Sequence, residues 1–203
     1  MFAQLRQVAC APHLTVRMGK KNQQDKDFDG LSDWSTGEYD NCRFKNCTLT
    51  KAKLNGSTFI NCSFVDCDLS NAKLKEVGMQ EVTFKDCKLV GLNFDDTKEF
   101  GFNVKFRGCN LELAAFCERK LKGISFKRCQ LIETDFRGAN LQDASFVDCD
   151  LERAVFERTD LRRADLRTAR NFHISPEENR LRGAKFSAEG LAGLLTEYGI
   201  VID

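Results

Sequence analysis

At 203 residues the chain is long enough for one domain with a full core, and its 31 basic and 30 acidic side chains nearly cancel. No global field therefore marks it for nucleic acid or a membrane surface, and no apolar run approaches the roughly 18 residues that span a bilayer. The make-up is uneven, with 17 Phe and 10 Cys against 2 Pro, 2 Tyr and 1 Trp; the cysteines follow no hydrophobic signal segment, which predicts reduced thiols and a cytoplasmic protein.

The N-terminal region, residues 1–36, is expected to be a partly disordered tail followed by a cap. Residues 1–24 contain no Asp or Glu and carry Arg6, Arg17, Lys20 and Lys21, so a targeting segment is the competing reading. In DFDGLSDW the acidic order lacks the closing Glu of a calcium loop, and Phe28, Leu31 and Trp34 are expected to cover the first packed layer.

From Tyr39 a large residue returns every fifth position: Phe44, Leu49, Leu54, Phe59, Phe64, Leu69, Leu74, Met79, Phe84, Leu89 and Phe94. A helix needs a period of 3.6 and a strand a period of 2, and five fits neither. The beat resumes at Phe106 and runs unbroken to Leu166. Two residues before each large one sits a small or β-branched one, such as Cys42, Cys47, Ala52, Ser57, Ala139 or Ala144. A five-residue unit that turns the chain by about a right angle buries both and closes a square coil in four units. A recurrence of twenty supports this: Cys47, Cys67 and Cys87; Cys109, Cys129 and Cys149; Phe106, Phe126 and Phe146. Like residues then stack on like.

Quoted as they stand, the units read ANLQD from Ala139, ASFVD from Ala144, CDLER from Cys149, AVFER from Ala154, TDLRR from Thr159 and ADLRT from Ala164. The pattern resembles the pentapeptide-repeat family over about residues 37–187. The resemblance implies an all-β solenoid, a right-handed quadrilateral β-helix, followed by a short C-terminal α-helix. Within the family the chain is similar to the Qnr, MfpA and AlbG group, because one interruption separates two stacks and a short extension follows them.

That interruption, DDTKEFGFNVK, lies near residues 95–105. It is expected to be a tolerated kink with Phe100 and Phe102 turned inward; as a binding loop it offers Asp95, Asp96, Lys98 and Glu99. Paired cysteines such as Cys42 and Cys47 are five apart because the repeat is five; without a CxxC spacing or nearby His they read as buried thiols, and no metal or cofactor is expected.

Residues 188–203 are expected to form the helix and a dimerisation segment. Ser187 suits an N-cap and Gly199 a helix end. Leu191, Leu194, Leu195 and Tyr198 fall on one helical face. The group's C-terminal helices join two rods end to end, so the resemblance implies a homodimer through these residues, with Ile200, Val201 and Ile202 as a short docked strand.

The only histidines are His13 and His173, and no phosphate loop, nucleophile elbow or zinc spacing is present. The chain reads as a non-enzyme without a small-molecule substrate. Members of the resembled group bind DNA gyrase and topoisomerase IV and protect them from inhibitors, and DNA mimicry has been proposed for some; a type II topoisomerase is thus the implied partner. A general interaction scaffold with another partner is the alternative. The charges do not mimic DNA overall, at nine acidic and nine basic in residues 37–98 and fourteen against seventeen in 99–186. The face carrying Leu111, Leu131 and Leu151 offers the candidate partner residues Glu112, Glu133, Asp150 and Glu152. The face carrying Leu121, Leu141 and Leu161 offers Lys120, Lys122, Arg162, Arg163, Arg180 and Arg182. Without exposed aromatics between them, these basic residues argue against direct nucleic-acid binding.

Overall fold

The computed structural model describes residues 21–200. Each coil visits four faces, and coil stacks on coil through parallel strands or single bridges. The first face carries β1 (Lys21–Gln24), β3 (Gly37–Asp40), β5 (Thr58–Ile60) and β7 (Gly78–Gln80) in one sheet. It continues past the interruption as bridges joining Lys120, Asn140, Asp160 and Arg180. The second face is a seven-stranded sheet of β2 (Asp27–Asp29), β4 (Arg43–Lys45), β6 (Ser63–Val65), β8 (Val82–Lys85), β9 (Val104–Arg107), β10 (Ser125–Lys127) and β11 (Ser145–Val147). Bridges from Thr48 through Asp68, Lys88, Asn110, Gln130 and Asp150 to Arg170 make the third face. The fourth joins Lys53 to Lys73, and Asn93 to Ala115, Asp135 and Val155. The fold is the four-sided parallel β-solenoid that the five-residue beat predicts.

Corners are made by single residues in the left-handed region. Asn41, Asn61 and Asp66 have φ of 52, 52 and 54°, and the same conformation recurs about every fifth residue. Asn and Asp tolerate this region better than most residues, and here the Asn41 and Asn46 amides reach across to Asp25 and Asp29 on the neighbouring coil at 2.6 and 2.8 Å; Leu113 and several Arg and Glu residues adopt it at a cost.

Between corners the large residue points inward. Ten Phe side chains, from Phe44 to Phe146, are fully buried. On the second face Phe44, Phe64, Phe84, Phe106, Phe126 and Phe146 stack ring on ring, with centroids 4.6 to 5.5 Å apart. Phe94, Phe116, Phe136 and Phe156 stack likewise on the fourth face. The two columns meet edge to face, as Phe106 and Phe116 do at 6.0 Å and 79°. Each such pair adds about 0.5–1.5 kcal/mol beyond the area it buries. The small positions carry the cysteines. All nine described ones are free thiols; eight are buried at these positions and pack as small apolar groups, burial pushing Cys62 up to about 11, while Cys117 lies half-buried outside them. Cys10 lies outside the described residues.

The stack begins earlier than the count by fives reached. β1 pairs with β3 and β2 with β4, so Phe28 lies over Phe44, a step of 16 residues. Sixteen is not a multiple of five, which hid this coil from the periodicity. Phe28 stacks on Phe44 at 4.9 Å, Leu31 and Trp34 pack against the core, and Trp34 Nε1 donates to Ser57 Oγ at 3.2 Å.

At the other end the expected α-helix is two 3₁₀ turns, Glu189–Leu194 and Thr196–Tyr198. Two facts explain the difference. Gly190 and Gly193 weaken an α-helix, and the Gly193 carbonyl, which an α-helix would direct to Glu197, accepts from Ile174 N–H at 3.0 Å. Both glycines lie against Phe172, and a Cβ on Gly193 would collide with the Phe172 carbonyl oxygen. Gly190 N–H donates to Ser187 Oγ at 3.1 Å, and Gly199 closes the segment with φ of 61°. The segment thus lids the last coil. No helix among the described residues is long and apolar enough to cross a membrane.

Candidate interaction surface

With the core filled, chemistry is confined to what points outward, and one coil differs from the rest. Val82 pairs with Val104 whereas Ser63 pairs with Thr83, so this coil holds 22 residues where its neighbour holds 20. The extra length emerges on the first face. Lys98 N–H still bonds Val77 O and Asn103 N–H still bonds Met79 O, both at 2.9 Å. Between them Glu99–Phe102 closes a turn in which Phe102 N–H donates to Glu99 O at 3.2 Å. Gly101, at φ 73°, takes the position that needs the left-handed region.

The turn sends its two aromatics in opposite directions, which corrects the expectation that both tuck inward. Phe102 folds back, 6.4 Å from the Phe94 ring. Phe100 sits at the tip and is 90% exposed. A long turn on a regular solenoid has room inside for only one of them.

Arg119 holds this turn in place. Its position is one where other coils bury a small residue such as Ala139, yet only 7% of it is exposed. Nη1 donates to Thr97 O at 3.0 Å, and Nη2 donates to Thr97 Oγ1 at 3.0 Å and Lys98 O at 3.3 Å. The guanidinium carbon lies 4.5 Å from the Phe102 ring centroid. The ladder bond that Lys120 N–H would make to Thr97 O is missing where the register shifts, and the Arg119 fork replaces it.

The candidate loop residues divide. Asp96 and Lys98 are exposed, Glu99 pairs with Lys120 at 2.7 Å, and Asp95 is half-buried with Oδ1 unpartnered. Burial raises the Asp95 carboxyl above its ordinary value, against hydrogen bonding from Cys117.

The acidic and basic faces are less free than the sequence suggests. On the third face Glu133 pairs with Arg153 at 2.7 Å and Asp150 with Arg170 at 3.0 Å; Glu152 lies 3.9 Å from Arg153. Glu112 is half-buried. On the first face Arg162 pairs with Asp160 and Arg163 with Asp143, each at 2.6 Å. Arg180 lies 3.9 Å from Asp160. The second face contrasts with both. Lys85, Arg107 and Lys127 occupy the same outward position on successive rungs. Arg128 sits at the next corner, and Lys122 faces outward from the first face. Arg107, Lys122, Lys127 and Arg128 make no ion pair within 4.0 Å among the described residues. Like charges on facing rungs repel, and in this column only Lys85 has a carboxylate within 4.0 Å, Asp86 at 3.8 Å.

The pentapeptide repeat region model matches residues 32–116, 57–136, 102–170 and 119–194, which together cover most of the chain. The chain belongs to the pentapeptide-repeat family. Among solved structures it is similar to a trypsin-treated form of QnrB1, a plasmid-mediated fluoroquinolone resistance protein. That match has 20% identity and a TM-score of 0.45, over 90% of this chain and 97% of that one. It is also similar to HetL, a pentapeptide repeat protein involved in heterocyst differentiation regulation from the cyanobacterium Nostoc, at 18% identity and a TM-score of 0.35. There the match spans 85% and 87% of the two chains. No curated protein sequence matches.

At the C-terminal end of this pentapeptide-repeat rod Leu194 packs on the core and Leu195 is half-buried. Leu191, Tyr198 and Ile200 are 49%, 48% and 56% exposed, and Tyr198 OH donates to Glu177 at 3.0 Å. Val201 and Ile202 lie outside the described residues. The five-residue beat marks neither the outward turn of Phe100, nor the buried Arg119, nor the Arg107 column. The two-residue insertion shifts Lys85 and Arg107 out of a count by twenty.

Proposed function

We propose that the chain is a non-catalytic rod that binds another protein, and that the interrupted coil is where it does so. The observation that carries this reading is Phe100: an aromatic side chain 90% exposed on a turn fixed from inside by a buried arginine. Exposing Phe gains nothing for the isolated rod, and a rigid exposed aromatic suits an interface anchor. The nine free thiols, eight of them buried, suit a reducing, cytoplasmic setting.

The partner implied by the resemblance to the Qnr, MfpA and AlbG group is a type II topoisomerase. The exposed Leu191, Tyr198 and Ile200 support end-to-end pairing of two copies, which would present two interrupted coils on one long rod. A gyrase supercoiling assay with a quinolone present tests the partner: added rod should restore supercoiling in proportion to its concentration. No effect on supercoiling or on drug action at any concentration removes the topoisomerase and leaves a protein-binding rod with a different partner.

A further inference from the structure

We propose that the basic second face beside the Phe100 turn binds an acidic protein segment carrying an apolar anchor residue. The inference rests on the reading of the rod as a protein-binding module and adds the chemistry of the partner.

Two features meet at this place. The first is the column of Lys85, Arg107 and Lys127, with Arg128 and Lys122 on either side. On the coils that follow, Arg137 meets Asp135, Arg153 meets Glu133, Arg167 meets Asp165 and Arg170 meets Asp150, all within 3.0 Å. Here only the edge of the patch is matched, through Lys105 with Glu81 at 3.9 Å and Lys85 with Asp86 at 3.8 Å. Arg107, Lys122, Lys127 and Arg128, clustered and without an ion pair among the described residues, are available for carboxylates from outside.

The second feature is a groove of about 270 Å³ between the turn and the next coil. Phe102, Val104 and Ile124 form its floor and Lys105, Lys120 and Lys122 its rim. It is smaller than a cofactor site and of a size for one apolar side chain; Lys105 and Lys120 on its rim already face Glu81 and Glu99, which leaves Lys122 to receive a flanking carboxylate. An extended single strand of nucleic acid would need several aromatic platforms along the groove. Phe100 is the one large aromatic exposed here, so the geometry favours an acidic polypeptide.

The test is fluorescence anisotropy with a labelled peptide of Asp and Glu residues around a central Leu-Phe pair. Its amide counterpart, with Asn and Gln, and a short oligothymidylate serve as comparison probes. The acidic peptide should bind with salt-dependent affinity, and the other two should bind at least roughly tenfold more weakly. Arg107→Glu with Lys127→Glu should reduce acidic-peptide binding by a similar factor. Arg107→Glu alone places a carboxylate between Lys85 and Lys127, so its urea midpoint should equal or exceed that of the unchanged protein, which separates lost binding from lost folding. Equal binding of the amide peptide, tighter binding of the oligonucleotide, or no response to charge reversal overturns the proposal. If a topoisomerase binds the rod and the double variant binds it equally well, the acidic-segment surface is wrong while the protein-binding reading stands.

Discussion

Leu113 sits at a corner with φ of 58° and is 53% exposed. A γ-branched residue there carries the left-handed backbone cost that Asn tolerates, and it lacks the bond that corner side chains such as Asn41 and Asn46 make to Asp25 and Asp29 on the neighbouring coil. Leu113→Asn should therefore stabilise the rod by about 0.5–1 kcal/mol, seen as a higher urea midpoint at unchanged slope. A second residue-scale effect lies in the paired carboxylates. The Arg167 guanidinium holds Asp165 down at about 2, from an ordinary 3.8, and Arg162 lowers Asp160 in the same way. A depressed folded-state value means stability that is present above the ordinary value and lost as pH falls through the folded one. Arg167→Ala should thus be less stable than the unchanged protein at neutral pH, and the difference should shrink between pH 3.8 and about 2. Urea midpoints measured across that range check the sign; a constant difference would mean that Arg167 acts through packing alone.

At the scale of the element, the interrupted coil depends on Arg119. Its removal leaves the Thr97 and Lys98 carbonyls without their donors and uncovers the Phe102 ring. Arg119→Ala should cost about 2–4 kcal/mol, and Arg119→Lys should recover little, since an ammonium cannot reproduce the planar fork. Amide exchange should accelerate at residues 98–103 in both variants before it does in β10 or β11. Uniform acceleration along the rod would show that Arg119 supports the whole stack and not this turn. How far this was readable in advance follows from the same residues. Tyr39 to Phe94 and Phe106 to Leu166 announced their own burial, because a strict beat fixes which side chains point inward. The beat stops at Phe94, so it carried no information on whether Phe100 or Phe102 turns in. Nor could local sequence reveal that Gly193 gives its carbonyl to Ile174, a contact across the final break that converts an amphipathic helix into 3₁₀ turns.

At the scale of the molecule, the ladder of Phe rings and the parallel bridges make one continuous rod with distinct faces and two ends. The N-terminal end is closed by Phe28, Leu31 and Trp34, and the C-terminal lid leaves Leu191, Tyr198 and Ile200 exposed. End-to-end pairing through this lid should appear as a dimer mass in light scattering, and Leu191→Glu with Ile200→Glu should give a monomer of unchanged thermal stability. The charge pattern was half legible: sorting by face found the strips with Glu133 and Arg163, but their mutual neutralisation across coils emerges only from the register that sets Arg163 over Asp143 and Arg170 over Asp150. The central claim, that the turn bearing Phe100 is the contact surface of a protein-binding rod, is tested most directly by equilibrium binding of purified gyrase to the immobilised rod, with Phe100→Ala alongside. The account predicts binding by the unchanged rod and roughly tenfold weaker binding by Phe100→Ala, at equal thermal stability of the two. Equal affinity for both would contradict it, and binding by neither would remove gyrase as the partner.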